Sequence, residues 1–467
     1  MGFFLSVLYF VADYLTPPVL FGQLAQYRVE LILAALLLLV SLPRLIRSPL
    51  LKTPQALALA GLAIAGFLSI FFAEHWLSGA IEAFLGFIPS IFAFFLVGLH
   101  CDSRNKLQAL ALMLLGVCLF VMGNGLRELR NVDASLAPTG VESADDVDWA
   151  VWNIEHPYLY PMRNGEGKFF YRLRGMGLMN DPNDFGQILV CEIPLLFLLW
   201  RPKKLLRNLA LVLVPAGVLV YGVYLTHSRG ALLALLAVIL IAARRRIGTL
   251  PAGVIAVALF AGAMALRFTG GRAISASAGE DRTALWGGSM ELLKSHLAFG
   301  IGIGRLPEFL GHTAHNSILV CAAELGFFGL FFWSLFLFPT LRDALLIASP
   351  RRVSAGGDAD EEDGRLPVLF RPWKGAALDK TEINRIGSCL FLSLMGFLAA
   401  GLFLSRAFVM TFFLLGGMIE VVYETARRRE MTAPRLSLAR VSAGAFAIAI
   451  ALIAAVYMTL RLVNLIH

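Results

Sequence analysis

Charge is scarce in this chain. Asp, Glu, Lys and Arg make up 15% of its 467 residues, against roughly 25% in a soluble domain. A sequence this poor in charge is expected in a membrane rather than in water. Cysteine is scarce too. Cys101, Cys118, Cys191, Cys321 and Cys389 include no Cys-x-x-Cys pair, and most of them lie within apolar runs. That argues against a disulfide framework and for small packing residues. Alternating ten-residue segments are missing, which excludes a transmembrane barrel. No basic stretch or cleavage site accompanies the apolar N-terminus, so residues 3–22 are expected to stay as a first span or anchor.

What is present is apolar sequence. Hydrophobic residues are 58% of the chain, in blocks such as Leu31 to Leu42, Ala56 to Phe72 and Ile318 to Leu337. A bilayer core about 30 Å thick needs roughly 17–25 apolar residues per helix. With no water to satisfy the backbone there, helices are the expected element. The candidate spans are residues 3–22, 28–46, 55–73, 79–100, 106–123, 184–200, 207–225, 229–244, 249–267, 317–340, 385–404, 407–425 and 440–463. The first is interrupted by Asp13, Pro17 and Pro18. The predicted fold is all-α: a polytopic transmembrane helix bundle of about 12–13 spans. Residues 1–467 form a single integral membrane domain.

The net charge of +8 does not point to nucleic acid, because the basic residues sit in short clusters between apolar runs. These clusters are Arg44/Arg47/Lys52, Arg104/Lys106, Arg201/Lys203/Lys204/Arg207, Arg244/Arg245/Arg246, Arg351/Arg352 and Arg427/Arg428/Arg429. Each follows an even-numbered span. The positive-inside rule then places these loops and the N-terminus in the cytoplasm. Loops 124–183 and 268–316 fall outside, and loop 341–384 falls inside. Within the last, the acidic, Gly-rich run Gly356 to Gly364 reads as a partly disordered linker. The protein is expected to lie in a membrane, among its lipids, with the N-terminus on the cytoplasmic side.

The external loops hold the residues with chemistry. The first is rich in aromatics, including Trp149, Trp152, His156, Tyr158, Tyr160, Phe170 and Tyr171. Interfacial belt residues and a sugar-binding surface are both consistent with that. Asn180-Asp181-Pro182-Asn183 reads as a turn and helix cap. Arg172 and Arg174 near it are candidates for bidentate phosphate binding. Arg229 breaks the charge rule, standing at the first turn of a helix whose dipole disfavours a cation. Either it snorkels to headgroups or it belongs to an anion site.

The second external loop, between spans 9 and 10, contains Arg282 and a stripe of Trp286, Met290, Leu293 and Leu297. That spacing predicts a helix lying in the interface plane. Gly300-Ile301-Gly302-Ile303-Gly304 lacks the preceding strand of a dinucleotide fingerprint. It reads as a turn whose amides face an oxyanion. His315-Asn316 stands at the mouth of the next span, and His315 is a candidate base. Glu324, nine residues on, would lie on the opposite helix face. The external loops show no His-x-x-x-His spacing, and neither a metal nor another cofactor is implied.

These residues carry a resemblance. Ser228-Arg229-Gly230, Arg282 with Trp286, Gly302-x-Gly304, His315-Asn316, Glu324-x-Gly326 and Gly329 resemble the O-antigen ligase and O-antigen polymerase superfamily. The likeness covers most of the chain in layout, and residues 280–335 are its specific part. It implies a glycosyltransferase that moves an oligo- or polysaccharide from undecaprenyl diphosphate to an acceptor hydroxyl, without metal and with inversion. Carried over, Arg229, Arg282 and Arg174 would hold the donor diphosphate and His315 would be the base. Arg172, Asn316, Gly302 and Gly304 would support them. The acceptor could be a growing glycan, lipid A-core or a protein hydroxyl. The rival class is a transporter or flippase of lipid-linked glycans, which predicts charges deep in several spans. By sequence, Glu324 is the one acidic residue well inside a confident span. Glu82, Glu192 and Glu420 fall toward span ends, and Asp13 lies in the doubtful first span.

Overall fold

The computed structural model describes residues 1–27, 29–132, 149–163, 169–266, 268, 277–349 and 380–462. The acidic run 356–364 lies outside the described residues. Long helices dominate. They are α1 Gly2–Leu15, α2 Val29–Ile46, α3 Pro54–Glu74, α4 Leu77–His100, α5 Arg104–Asn131, α6 Pro182–Leu196 and α7 Val214–Leu225. There follow α8 Arg229–Ile247, α9 Thr249–Ala265, α10 Ser277–Ser295, α11 Ser317–Ala348, α12 Lys380–Gly401, α13 Met410–Arg428 and α14 Leu438–Leu462. Among the described residues, 9 helices are long and apolar enough to cross a membrane. The chain is a multi-pass α-helical membrane protein, as its composition predicts.

Observed spans depart from the expected ones in three ways. The expected first span is a 14-residue helix, about 21 Å long at 1.5 Å per residue and short of a bilayer core of about 30 Å. It stops at Thr16, whose backbone is left-handed (φ 44°), and Pro17 opens a separate turn. Second, α5 and α11 run past their expected ends at 123 and 340, to Asn131 and Ala348. Apolar content marks where a helix leaves hydrocarbon, not where its hydrogen bonding stops. Third, the first long loop holds an antiparallel hairpin, β1 Leu159–Arg163 and β2 Phe169–Leu173. Its aromatic residues favour strand.

Burial sorts the helices. The span beginning at Pro182 is 83% buried, while α2 and α14 are 17% and 22% buried. The outer helices turn leucines such as Leu31 and Leu39 outward, which suits a lipid solvent. Inside, α11 packs against α3, α12 and α14. A cluster of Phe94, Phe336, Phe397, Phe412 and Phe413 fills the centre. Phe397 and Phe412 stack with centroids 5.1 Å apart, and Phe336 meets Phe412 edge-on at 5.0 Å.

The central helix is broken. Gly326 has φ 66° and ψ −168°, a conformation essentially restricted to glycine. A continuous helix would join Phe327 N to Ala323 O and Phe328 N to Glu324 O. Here those amides donate to Leu297 O (2.7 Å) and Ala298 O (3.1 Å). The freed carbonyls accept from Ile301 N (3.0 Å) and Gly302 N (3.1 Å). The loop after α10 is thereby spliced into the gap, and all four freed groups are satisfied.

Candidate functional site

Loops at the end of the bundle away from the basic clusters converge on one region. Asp181 caps α6, its Oδ1 accepting from Asn183 N at 2.7 Å. Ser228 caps α8, accepting from Ala231 N at 3.2 Å. The two caps are joined, because Ser228 Oγ donates to Asn183 Oδ1 at 2.7 Å. Gly186 permits this approach: a Cβ there would lie 2.7 Å from Ala231 Cβ. From the hairpin, Arg172 donates to Thr226 O (2.8 Å) and Asn183 Oδ1 (2.9 Å). It is 4% exposed and fixes the turn that carries Arg229.

Arg282 and His315 arrive from the second long loop. Trp286 lies one turn after Arg282 on α10, on the same face. Its indole N–H donates to Ala314 O at 2.9 Å, which seats the residue before His315 against that helix. His315 adopts a left-handed backbone (φ 48°). Its amide donates to Ser405 Oγ at 3.0 Å. The apolar stripe of α10 is covered by protein at Met290 and Leu293, each 2% exposed, while Leu297 is 59% exposed. The helix rests on α11 rather than offering the whole stripe to lipid.

The electrostatics tie these loops together. Burial and the charge of Arg229 push the Arg282 guanidinium below its usual range. Arg172 is lowered by burial, and Arg282 and Arg229 add to that. His315 is lowered from its usual 6.5 by burial and then by Arg282, with Asp181 opposing. Arg172, Arg229 and Arg282 therefore act on one another, and Arg282 acts on His315. No hydrogen bond or ion pair joins the Arg282 side chain to another residue among the described residues. A half-buried cation among cations is unfavourable unless an anion joins it.

No protein-family model, curated protein or solved structure matches this chain. Its chemistry is therefore read from these residues alone.

Several expected site residues lie elsewhere or do other work. Arg174, expected on the diphosphate, donates to Asn153 Oδ1 (2.6 Å), His156 O (3.2 Å) and Asn180 Oδ1 (3.3 Å). It is 2% exposed and clamps the first loop. Arg172, expected in support, is the arginine that shares the charge cluster. Asn316 caps α11, accepting from Ile318 N and Leu319 N. The amides expected to face an oxyanion are taken. Gly302 N donates to Glu324 O, Ile303 N to Ser69 Oγ at 3.2 Å, and Gly304 N to the Glu324 carboxylate. No bond joins Glu324 to His315, and His315 precedes α11 with a left-handed backbone instead of lying on its opposite face.

The loop between α12 and α13, outside the segments singled out from the sequence, also meets this region. Arg406 forms an ion pair with Asp184, and its amide donates to Ser317 Oγ at 3.1 Å. Gly230 packs against Phe403 of the same loop. The signal was available, since Arg406 is a cation on a short loop at the charge-poor end, as Arg229 is. Glu192 is corrected too. It lies ten residues after Pro182 in the span Pro182–Leu199, about 15 Å along the helix, and so near mid-span.

Proposed function

We propose that this chain is a glycosyltransferase of the O-antigen ligase or polymerase type. It moves an oligo- or polysaccharide from undecaprenyl diphosphate to an acceptor hydroxyl on the periplasmic face of a bacterial inner membrane. The N-terminus lies in the cytoplasm. The observation that carries the reading is Arg282, half-buried beside Arg229 and without a counter-ion among the described residues. Such a pair suits a diphosphate, whose oxygens accept bidentate donation.

In this reading the donor diphosphate lies against Arg229 and Arg282. His315, neutral at pH 7, takes the proton of the acceptor hydroxyl. The hydroxyl oxygen forms a bond to the sugar's anomeric carbon. The bond from that carbon to the diphosphate oxygen breaks, and its electron pair leaves with the diphosphate. The two guanidinium groups hold the added charge. Attack opposite the leaving group inverts the anomeric carbon. The acceptor is a growing glycan, lipid A-core or a protein hydroxyl.

The test is incubation of the purified protein with undecaprenyl-diphosphate oligosaccharide and each acceptor class, followed by mass analysis. A glycan-bearing acceptor is expected. His315→Ala should yield none while remaining inserted and folded. Full activity in that variant removes the base assignment.

One observation favours transport of lipid-linked glycans instead. Both Glu192 carboxyl oxygens are buried without a partner among the described residues, and intramembrane carboxyls often serve proton or substrate paths. As a transferase, the protein should keep full transfer in Glu192→Gln. Loss of vesicle uptake of labelled lipid-linked glycan in that variant would favour the transporter.

A further inference from the structure

Glu324 is buried, 4% exposed, and its bonds all run to one loop. Its carbonyl accepts from Gly302 N at 3.1 Å. Its carboxylate accepts from Gly304 N and from Leu306 N at 3.4 Å. The amides between are held as well: Ile301 N by Ala323 O, Ile303 N by Ser69 Oγ, and Arg305 N by Gly302 O. Arg305 adds an ion pair to Glu74 on α3.

This loop has a definite place in the chain. It follows α10, which carries Arg282, and leads through the short helix Leu306–Leu310 to His315. Two anchors fix the relation of Arg282 to His315. One is the Trp286 bond to Ala314 O. The other is the splice into the break at Gly326, with the Glu324 carboxylate closing it. Gly304 has φ 77° and Gly302 φ 103°, so the loop turns twice in the left-handed region within three residues. Glycine takes both turns without a steric cost, and its freedom is what the loop loses when partners fix it.

We propose that Glu324 is a positioning residue for the transfer site. It holds the 301–306 loop on the broken helix and so sets the His315 imidazole relative to the Arg282 guanidinium. This rests on the glycan-transfer reading above. It assigns an acidic residue inside a span, which would suit a transport path, to the geometry of the site instead. A carboxylate used this way acts as a hydrogen-bond acceptor. Its charge is not consumed in a step, so an amide oxygen should replace it in part.

The experiment compares Glu324→Ala, Glu324→Gln and Glu324→Asp with the wild type in the full-length protein. Amide exchange over peptides covering 301–306 is read by mass spectrometry, together with kcat and donor KM. Alanine should speed exchange at 304 and 306. It should lower kcat on the order of 100-fold, as misplacement by about 1 Å can, with donor KM changed less than about threefold. Glutamine, which keeps one oxygen in reach, should restore kcat to within about tenfold of wild type. Aspartate, one methylene short, should behave like alanine and decides the matter if alanine does not insert. Wild-type exchange in both Ala and Asp variants overturns the proposal. So does a glutamine variant with wild-type exchange but alanine-like activity, since the ionisable proton would then be what is needed. If the wild type transfers no glycan, the functional reading fails. The exchange data still judge the anchor by themselves.

Discussion

Arg282 stands out among the cations at this end of the bundle. Arg172 is bonded to Thr226 and Asn183, and Arg406 is paired with Asp184. Arg282 has no such partner among the described residues. Arg282→Ala should lower kcat/KM by about 100- to 1000-fold, the usual cost of one preorganised donor to a developing charge. Arg282→Lys should recover part of this, because an ammonium supplies the charge without the planar fork. Steady-state kinetics on the purified protein check both. The pH profile follows from His315. Its folded value is lowered below 6.5, and a base must be unprotonated to work. The acidic limb should therefore have its midpoint below about 6.5, the value of an unperturbed histidine base. In Arg282→Ala one cause of the lowering is gone, so the acidic limb should move to higher pH. A limb that stays in place separates His315 from Arg282.

At the same scale, Arg229 is legible because it is a cation on an otherwise uncharged short connection, whereas Arg282 follows Glu280 and Asp281 and is legible only through the motif it makes with Trp286 and His315. The sequence does not tell Arg172 from Arg174. They are two residues apart at the end of one strand, and which one reaches Arg229 is decided by long-range bonds to Thr226 and Asn183. Arg406 obeys the same rule as Arg229, a cation on a short loop at the charge-poor end.

Among the elements, α11 carries the most information. A Cβ at Gly326 would lie 2.5 Å from Ala298 O, and one at Gly300 2.4 Å from Glu324 O. Gly326→Ala should destabilise the protein by roughly 1–3 kcal/mol or more, from backbone strain alone. Thermal inactivation in detergent measures it, and an unchanged midpoint would mean that the break can be closed. The apolar blocks gave the spans away, because hydrocarbon demands length and apolarity. The break was not legible. A lone glycine in an apolar run is tolerated in helices, and only the arriving 297–302 segment shows why this one cannot continue. The early end of α1 is foreshadowed by Pro17 and Pro18, which break the apolar run where the helix stops at Thr16.

For the whole molecule, the alternation of the described helices puts the basic clusters that follow α2, α4, α6, α8 and α13 at one end and the site at the other. All five cysteines are buried, so new ones report orientation cleanly. In intact cells a membrane-impermeant maleimide should label His75→Cys, at the site end. It should reach Lys203→Cys only after permeabilisation. The reverse pattern would invert the topology and move the site to the cytoplasm. The central claim is that Arg229, Arg282 and His315 form one centre that breaks a sugar–diphosphate bond. Every acceptor leaves the same second product, free undecaprenyl diphosphate. Its release from lipid-linked oligosaccharide in the presence of acceptor should be rapid for the wild type. It should be near background for Arg282→Ala and His315→Ala. Release at the wild-type rate in both variants, or none from the wild type with any acceptor class, would contradict the claim.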